Sequence, residues 1–129
     1  TYARVSDYAY KKMRKLLPGP YTFILPAARE VPKRLWSKRK TVGIRVPDHT
    51  IVIELARELG HPIVSTSTTN RKGDILTRPE EIESVLGFAV DVMLSAGYVP
   101  NQPSSVIDLS NDEPIIVRRG AGDVSSFEE

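Results

Sequence analysis

The fold turns on one stretch, Pro18-Gly19-Pro20-Tyr21-Thr22-Phe23-Ile24-Leu25-Pro26-Ala27-Ala28. Proline cannot continue a helix and restricts the residue before it, so Pro18-Gly19-Pro20 must end whatever helix precedes it. A helix is predicted there. Ser6 or Asp7 can cap it, and Ala9, Met13, Leu16 and Leu17 form its apolar stripe. Residues 21–28 then form a β-rich run whose near-continuous apolarity predicts a strand buried on both faces. The next strand-like run is Thr41-Val42-Gly43-Ile44-Arg45-Val46, and no long helix lies between the two. Parallel neighbours need a crossover, usually a helix, so this pair is predicted antiparallel.

Working outward, residues 50–59 show helical periodicity through Ile51, Ile53, Leu55, Ala56 and Leu59, with Gly60 placed to end the helix. Residues 62–67 read as a short strand entering a polar loop, 67–74. Pro79-Glu80-Glu81 opens a helix to about Leu86, with proline in the first turn and acids at the positive end of the dipole. Residues 90–94, 105–109 and 114–117 read as three more strands, and the tail 123–129 as exposed. Strands alternating with helices, one pair of them antiparallel, predict an α/β domain with a mixed sheet.

Composition narrows the class. The 129 residues are 40% hydrophobic and 26% charged, which fits one globular domain and excludes collagen-like, disordered and coiled-coil chains. No apolar run approaches the ~18 residues of a membrane span, and no N-terminal apolar segment marks secretion. The absence of cysteine excludes disulfides, thiol nucleophiles and thiolate metal sites. His49 and His61 are too few to anchor a metal alone. Neither a dinucleotide nor a P-loop fingerprint occurs. Charge is asymmetric: residues 1–73 carry +10 and residues 74–129 carry −8. A basic half attracts polyanions; alternatively, the halves neutralise each other across one folded surface.

Several polar residues sit where chemistry is done. Ser65-Thr66-Ser67-Thr68-Thr69-Asn70 follows an apolar run, and strand-end loops expose hydroxyls and N–H groups to ligands. Such a loop either holds an anion or is simply solvated. Arg45 lies within an apolar strand, and either forks onto a carboxylate or phosphate or faces outward. Arg118 and Arg119 follow Ile115-Ile116-Val117 and must point to different sides, as a ligand contact or as a surface pair. Ser104-Ser105 is another strand-edge hydroxyl pair, which taken alone is most often only a turn. Lys33, Arg34, Lys38, Arg39 and Lys40 surround Trp36, which suits phosphate contacts with base stacking, or else a solvated connector whose Trp caps the core. Val31, Leu35 and Trp36 fall near one helical face, which favours a core Trp36.

Five motifs occur in one order: Pro18-Gly19-Pro20-Tyr21-Thr22-Phe23-Ile24-Leu25; Thr41-Val42-Gly43-Ile44-Arg45-Val46-Pro47; Gly60-His61-Pro62-Ile63 with Ser65-Thr66-Ser67; Pro103-Ser104-Ser105-Val106-Ile107-Asp108; and Arg118 before Gly120. From about Ser6 to Asp123 the chain resembles the YrdC/Sua/YciO family, with the YciO-like branch nearest. The resemblance implies a twisted mixed sheet, parallel and antiparallel, flanked by helices. It implies that residues 1–129 are a single partial domain, the C-terminal two-thirds of the family domain, with its N-terminal strands and Lys-x-Arg motif upstream. It further implies a cytoplasmic nucleotidyltransferase that makes threonylcarbamoyl-adenylate from L-threonine, bicarbonate and ATP, with Mg²⁺ on the phosphates, for tRNA modification. Carried over residue by residue, Thr41, Ser67 and Arg118 would contact ATP, and Arg45, Ser65 and Ser104 the threonine. The family's Ser-Ala-Asn is here Ser67-Thr68-Thr69, with Asn70 one residue late. That departure keeps a second reading open: a YciO-like protein that binds tRNA or double-stranded RNA without synthase activity, through Lys33, Arg34, Lys38, Arg39 and Lys40.

Overall fold

In a computed structural model describing residues 2–111 and 113–128, the chain before Pro18 forms α1 (Asp7–Leu16). Ser6 caps it, its hydroxyl accepting from the Ala9 N–H at 3.2 Å. The apolar stripe reaches the core as expected: Ala9 is buried, and Met13, Leu16 and Leu17 pack beside it. Four strands follow: β1 (Tyr21–Pro26), β2 (Thr41–Arg45), β3 (Ser105–Asp108) and β4 (Ile115–Arg118). They form one open sheet in the order β2-β1-β3-β4. β1 runs antiparallel to β2 and parallel to β3, and β3 runs antiparallel to β4 with an irregularity between Val106 and Ile107. The mixed sheet predicted from the short 29–40 connection is therefore present.

β1 departs from the expectation of double burial. Its burial alternates: Tyr21, Phe23 and Leu25 are buried, whereas Thr22, Ile24 and Pro26 are only half-buried. The physical reason is that a single core lies against one face. That core joins Ala9 of α1 to Tyr21, Phe23, Leu25, Ile107, Leu109, Val124 and Phe127. Each fully buried large side chain, such as Phe23 or Ile107, contributes about 1.5–3 kcal/mol. The tail also differs from its prediction. Val124 and Phe127 are buried, and the Phe127 ring lies 6.3 Å from that of Phe23. Lys12 from α1 crosses Phe127 and donates to the Ser126 carbonyl at 2.6 Å.

The described residues group into two compact units, residues 1–53 with 103–129, and residues 54–102. The sheet belongs to the first. Helix α2 (Thr50–Leu59) is as read, ending at Gly60 with φ +70. In the second unit α3 (Pro79–Leu86) carries proline in its first turn as predicted. The strands expected at 62–67 and 90–94 do not form. Their β-favouring residues find no partner edge, and Val64 and Val92 are mostly exposed. The helical face expected for Val31, Leu35 and Trp36 is likewise replaced by one 3₁₀ turn, Lys33–Leu35. Trp36 lies outside the core, half-buried, with its indole N–H donating to the Val31 carbonyl at 2.9 Å. No helix among the described residues is long and apolar enough to cross a membrane.

Candidate functional site

The polar chemistry of the first unit lies on the sheet face opposite Phe23. The register sets Arg45 beside Thr22, Thr22 beside Val106, and Val106 beside Arg118. The two arginines therefore end one row that crosses all four strands. Three inter-strand spacings put their backbones about 14 Å apart. Partners in a ladder share a face, so period 2 directs Ile44 to the core and Arg45 away from it. Arg45 is exposed and makes no ion pair or side-chain hydrogen bond among the described residues. Of the two readings of its strand position, the outward-facing one describes where it points, and that direction is also where a ligand would meet it.

Ser104 anchors the middle of the row. It is buried, and its hydroxyl lies 2.8 Å from that of Thr22. Arg118 donates through Nε and Nη2 to the Ser104 carbonyl, at 3.0 and 2.7 Å, and Nη2 also reaches the Ser104 Oγ at 3.3 Å. Arg118 is thus oriented by backbone, with the rest of its guanidinium open. Arg119 points elsewhere and pairs with Glu128. The glycines after them explain the close packing. Ser105 donates to the Gly122 carbonyl at 2.6 Å and accepts from the Gly120 N–H at 2.9 Å. A Cβ on Gly120 would strike the backbone of Pro103 and Ser104, and one on Gly122 would strike the Tyr21 ring. Only glycine lets this turn lie against the segment that presents Ser104.

The row bears guanidinium and hydroxyl groups but no carboxylate, which suits an anion. Two residues further along the face stands Asp108, in register with Ile24. Burial pushes its carboxyl up. The Ser110 hydrogen bonds and the Arg39 guanidinium at 3.0 Å outweigh that and hold it below its ordinary value. Asp108 is therefore already compensated, and Arg39 is committed to it. Lys33, Arg34, Lys38 and Lys40 are exposed without ion pairs among the described residues.

The other predicted site residues fall elsewhere. Thr41 shares the face of Arg45 but sits four residues away, about 13 Å, buried with its hydroxyl 2.7 Å from that of Ser37. Ser65 and Ser67 belong to the second unit, exposed on an irregular segment, with no side-chain hydrogen bond among the described residues. Asn70 has a structural task. Its side chain accepts from the N–H groups of Lys72 and Asp74 at 2.8 and 3.0 Å, closing a turn at Gly73 with φ +90. Sequence reasoning missed Thr22 and the role of Gly120 and Gly122. Alternation within Tyr21-Thr22-Phe23 carried the signal for Thr22; no local pattern carried that for the glycines. Among the described residues no group of three or more His, Asp or Glu side chains gathers as a metal cage.

Known proteins share this sequence and sheet. The Sua5/YciO/YrdC family model, with the description "Telomere recombination", matches residues 1–120. An uncharacterized protein of Haemophilus influenzae strain Rd is 44% identical over 130 residues, covering 98% of this chain and 63% of that protein. The uncharacterized protein YciO of Escherichia coli K12 is 43% identical with the same coverage. The crystal structure of E. coli YciO superposes with a TM-score of 0.90, covering 98% of this chain and 62% of that one. More distantly, a putative threonylcarbamoyl-AMP synthase of Methanocaldococcus jannaschii is 32% identical, over 92% of this chain and 56% of its own length. P. abyssi Sua5 complexed with L-threonine shares the fold, with a TM-score of 0.76 at 23% identity, over 92% of this chain and 36% of that one. The chain spans about 63% of the length of the two curated relatives from H. influenzae and E. coli. Its motif order, its sheet and these likenesses agree: the chain belongs to the Sua5/YciO/YrdC family.

Proposed function

We propose that the whole protein forms threonylcarbamoyl-adenylate from L-threonine, bicarbonate and ATP. The observation that carries this reading is the row from Arg45 through Thr22 and Ser104 to Arg118, donor-rich and without a carboxylate on one sheet face. A substrate with anionic groups at both ends matches two guanidiniums about 14 Å apart at the backbone. Arg45 takes the threonine carboxylate, and Ser104 lines the threonine side. Arg118 takes the nucleotide phosphates, with Thr41 as a further ATP contact. The threonine amine combines with bicarbonate, losing water, to give a carbamate. A carbamate oxygen attacks the α-phosphorus of ATP; the P–O bond to the β-phosphate breaks and pyrophosphate leaves. The residues contribute positioning and charge neutralisation rather than proton transfer. Mg²⁺ would arrive on the nucleotide, and no residue of this chain is assigned to hold it.

The relatives named threonylcarbamoyl-AMP synthase, and the family structure with L-threonine, support this reading; the more similar YciO proteins are silent on it. The test is pyrophosphate release by the full-length protein. Release that requires both threonine and bicarbonate supports the synthase. Its absence, together with tRNA or double-stranded RNA binding that weakens steeply with salt, would replace it with an RNA-binding role.

A further inference from the structure

We propose a second anion site, at the other end of β1 from the Arg45 row, that takes one nucleotide unit: its base on Trp36 and its phosphate among Arg4, Arg29 and Lys40. These residues, with Ala27, Ala28 and Glu30, line a hollow of about 380 Å³ within the first unit. It is distinct from the row. Ala27 lies five residues beyond Thr22, about 16 Å along the strand direction, and Trp36 and Lys40 belong to the connection between β1 and β2.

Three observations meet there. First, three cations from separate segments line the hollow with one carboxylate, and none of the four has an ion pair among the described residues. Three cations against one carboxylate leave an excess of positive charge that suits an incoming anion. Second, Trp36 is pinned by its bond to the Val31 carbonyl. No aromatic ring or cation among the described residues stacks on its indole, which is left as a platform for a planar ring. Third, Lys40 holds a left-handed backbone, φ +56, in a turn tied by Lys40 N–H to the Ser37 carbonyl at 2.9 Å and Ala27 N–H to the Lys40 carbonyl at 3.0 Å. Glycine adopts that conformation freely, whereas a side chain there costs stability. The position keeps a cation at the expense of an easier turn.

The unit is either a free mononucleotide or one nucleotide of a single strand, and the experiment separates them. The full-length protein is titrated with UMP and with an eight-residue oligouridylate, by calorimetry at two salt concentrations. Lys40→Gly relaxes the turn, so its melting temperature should hold or rise while affinity falls about tenfold. Arg29→Gln should do the same without stabilising. For the strand, each loss should flatten the salt slope by about 0.7. Trp36→Leu should weaken both probes. Loss confined to the oligonucleotide assigns the site to strands; loss for both assigns it to the nucleotide unit itself. Unchanged affinity in Lys40→Gly and Arg29→Gln overturns the site. So does affinity that falls in Arg45→Ala instead, because binding then belongs to the sheet face. Pyrophosphate release should be unaffected by Lys40→Gly, so failure of this site and failure of the synthase reading are told apart.

Discussion

Arg45 and Ser104 reach the same face by different physics, and their substitutions should separate accordingly. Arg45 is exposed and unpaired among the described residues, so Arg45→Ala should leave folding within about 0.5 kcal/mol. A lost charge-assisted bond costs about 1.5–3 kcal/mol, so threonine affinity should fall roughly 10- to 150-fold, and ATP affinity much less. Calorimetric titration of each ligand with the full-length protein checks this; equal loss of both removes Arg45 from the amino-acid end. Thr22→Val keeps the side-chain volume but removes the 2.8 Å partner of the buried Ser104 hydroxyl. It should cost about 1–3 kcal/mol in urea unfolding, and Thr22→Ser should restore most of that. Gly122→Ala drives a methyl group into the Tyr21 ring and should cost about 1–3 kcal/mol or more by the same measurement.

Elements differ in how much of their cause is local. Helices α1 and α3 were legible because a cap, a periodic stripe and a proline each act within a few residues. The 62–67 and 90–94 segments have strand composition, but a strand also needs a partner edge, which composition does not encode. The candidate site was half legible for the same reason. Arg45, Ser104 and Arg118 stand out in sequence, yet their alignment depends on strand order and register. The basic connector shows the converse, because its charges look interchangeable and are not. Arg39 reaches Asp108, whose side chain is only 3% exposed. Arg39→Gln should cost about 1–2 kcal/mol, moderated because Arg39 is itself mostly in solvent and Ser110 still donates. Lys38→Gln should cost under about 0.5 kcal/mol. Denaturant midpoints of the two variants test the contrast, and equal values would show that the Arg39–Asp108 pair carries no stability.

At the scale of the molecule, the division of charge along the chain is not a division in space. Residues 103–129 fold with residues 1–53, so that unit combines 14 basic with 9 acidic side chains, and residues 54–102 hold 4 and 7. The Arg39–Asp108 pair joins the basic early chain to the acidic late chain, whereas Arg119–Glu128 closes within the late chain. Part of the apparent polyanion signal is thus internal balance, and the remaining excess sits with the sheet. This balance makes stability depend on acid. Asp108 is buried, and its carboxyl is held below the ordinary value by Ser110 and Arg39 against the upward push of burial. A depressed folded value means that the unfolded chain takes up the proton first. The stabilisation is therefore complete above the unfolded carboxylate range, about 4, and is lost as pH falls through the folded value. Asp123 is shifted the same way by the Ser125 N–H and hydroxyl, but it is exposed and its share should be small. Urea unfolding between pH 7 and pH 3 should show an acid limb that is shallower in Asp108→Asn, whereas Asp123→Asn should follow the parent curve. An acid limb unchanged in Asp108→Asn would place the linkage on other carboxylates and remove Asp108 as the charge that ties the connector to the sheet.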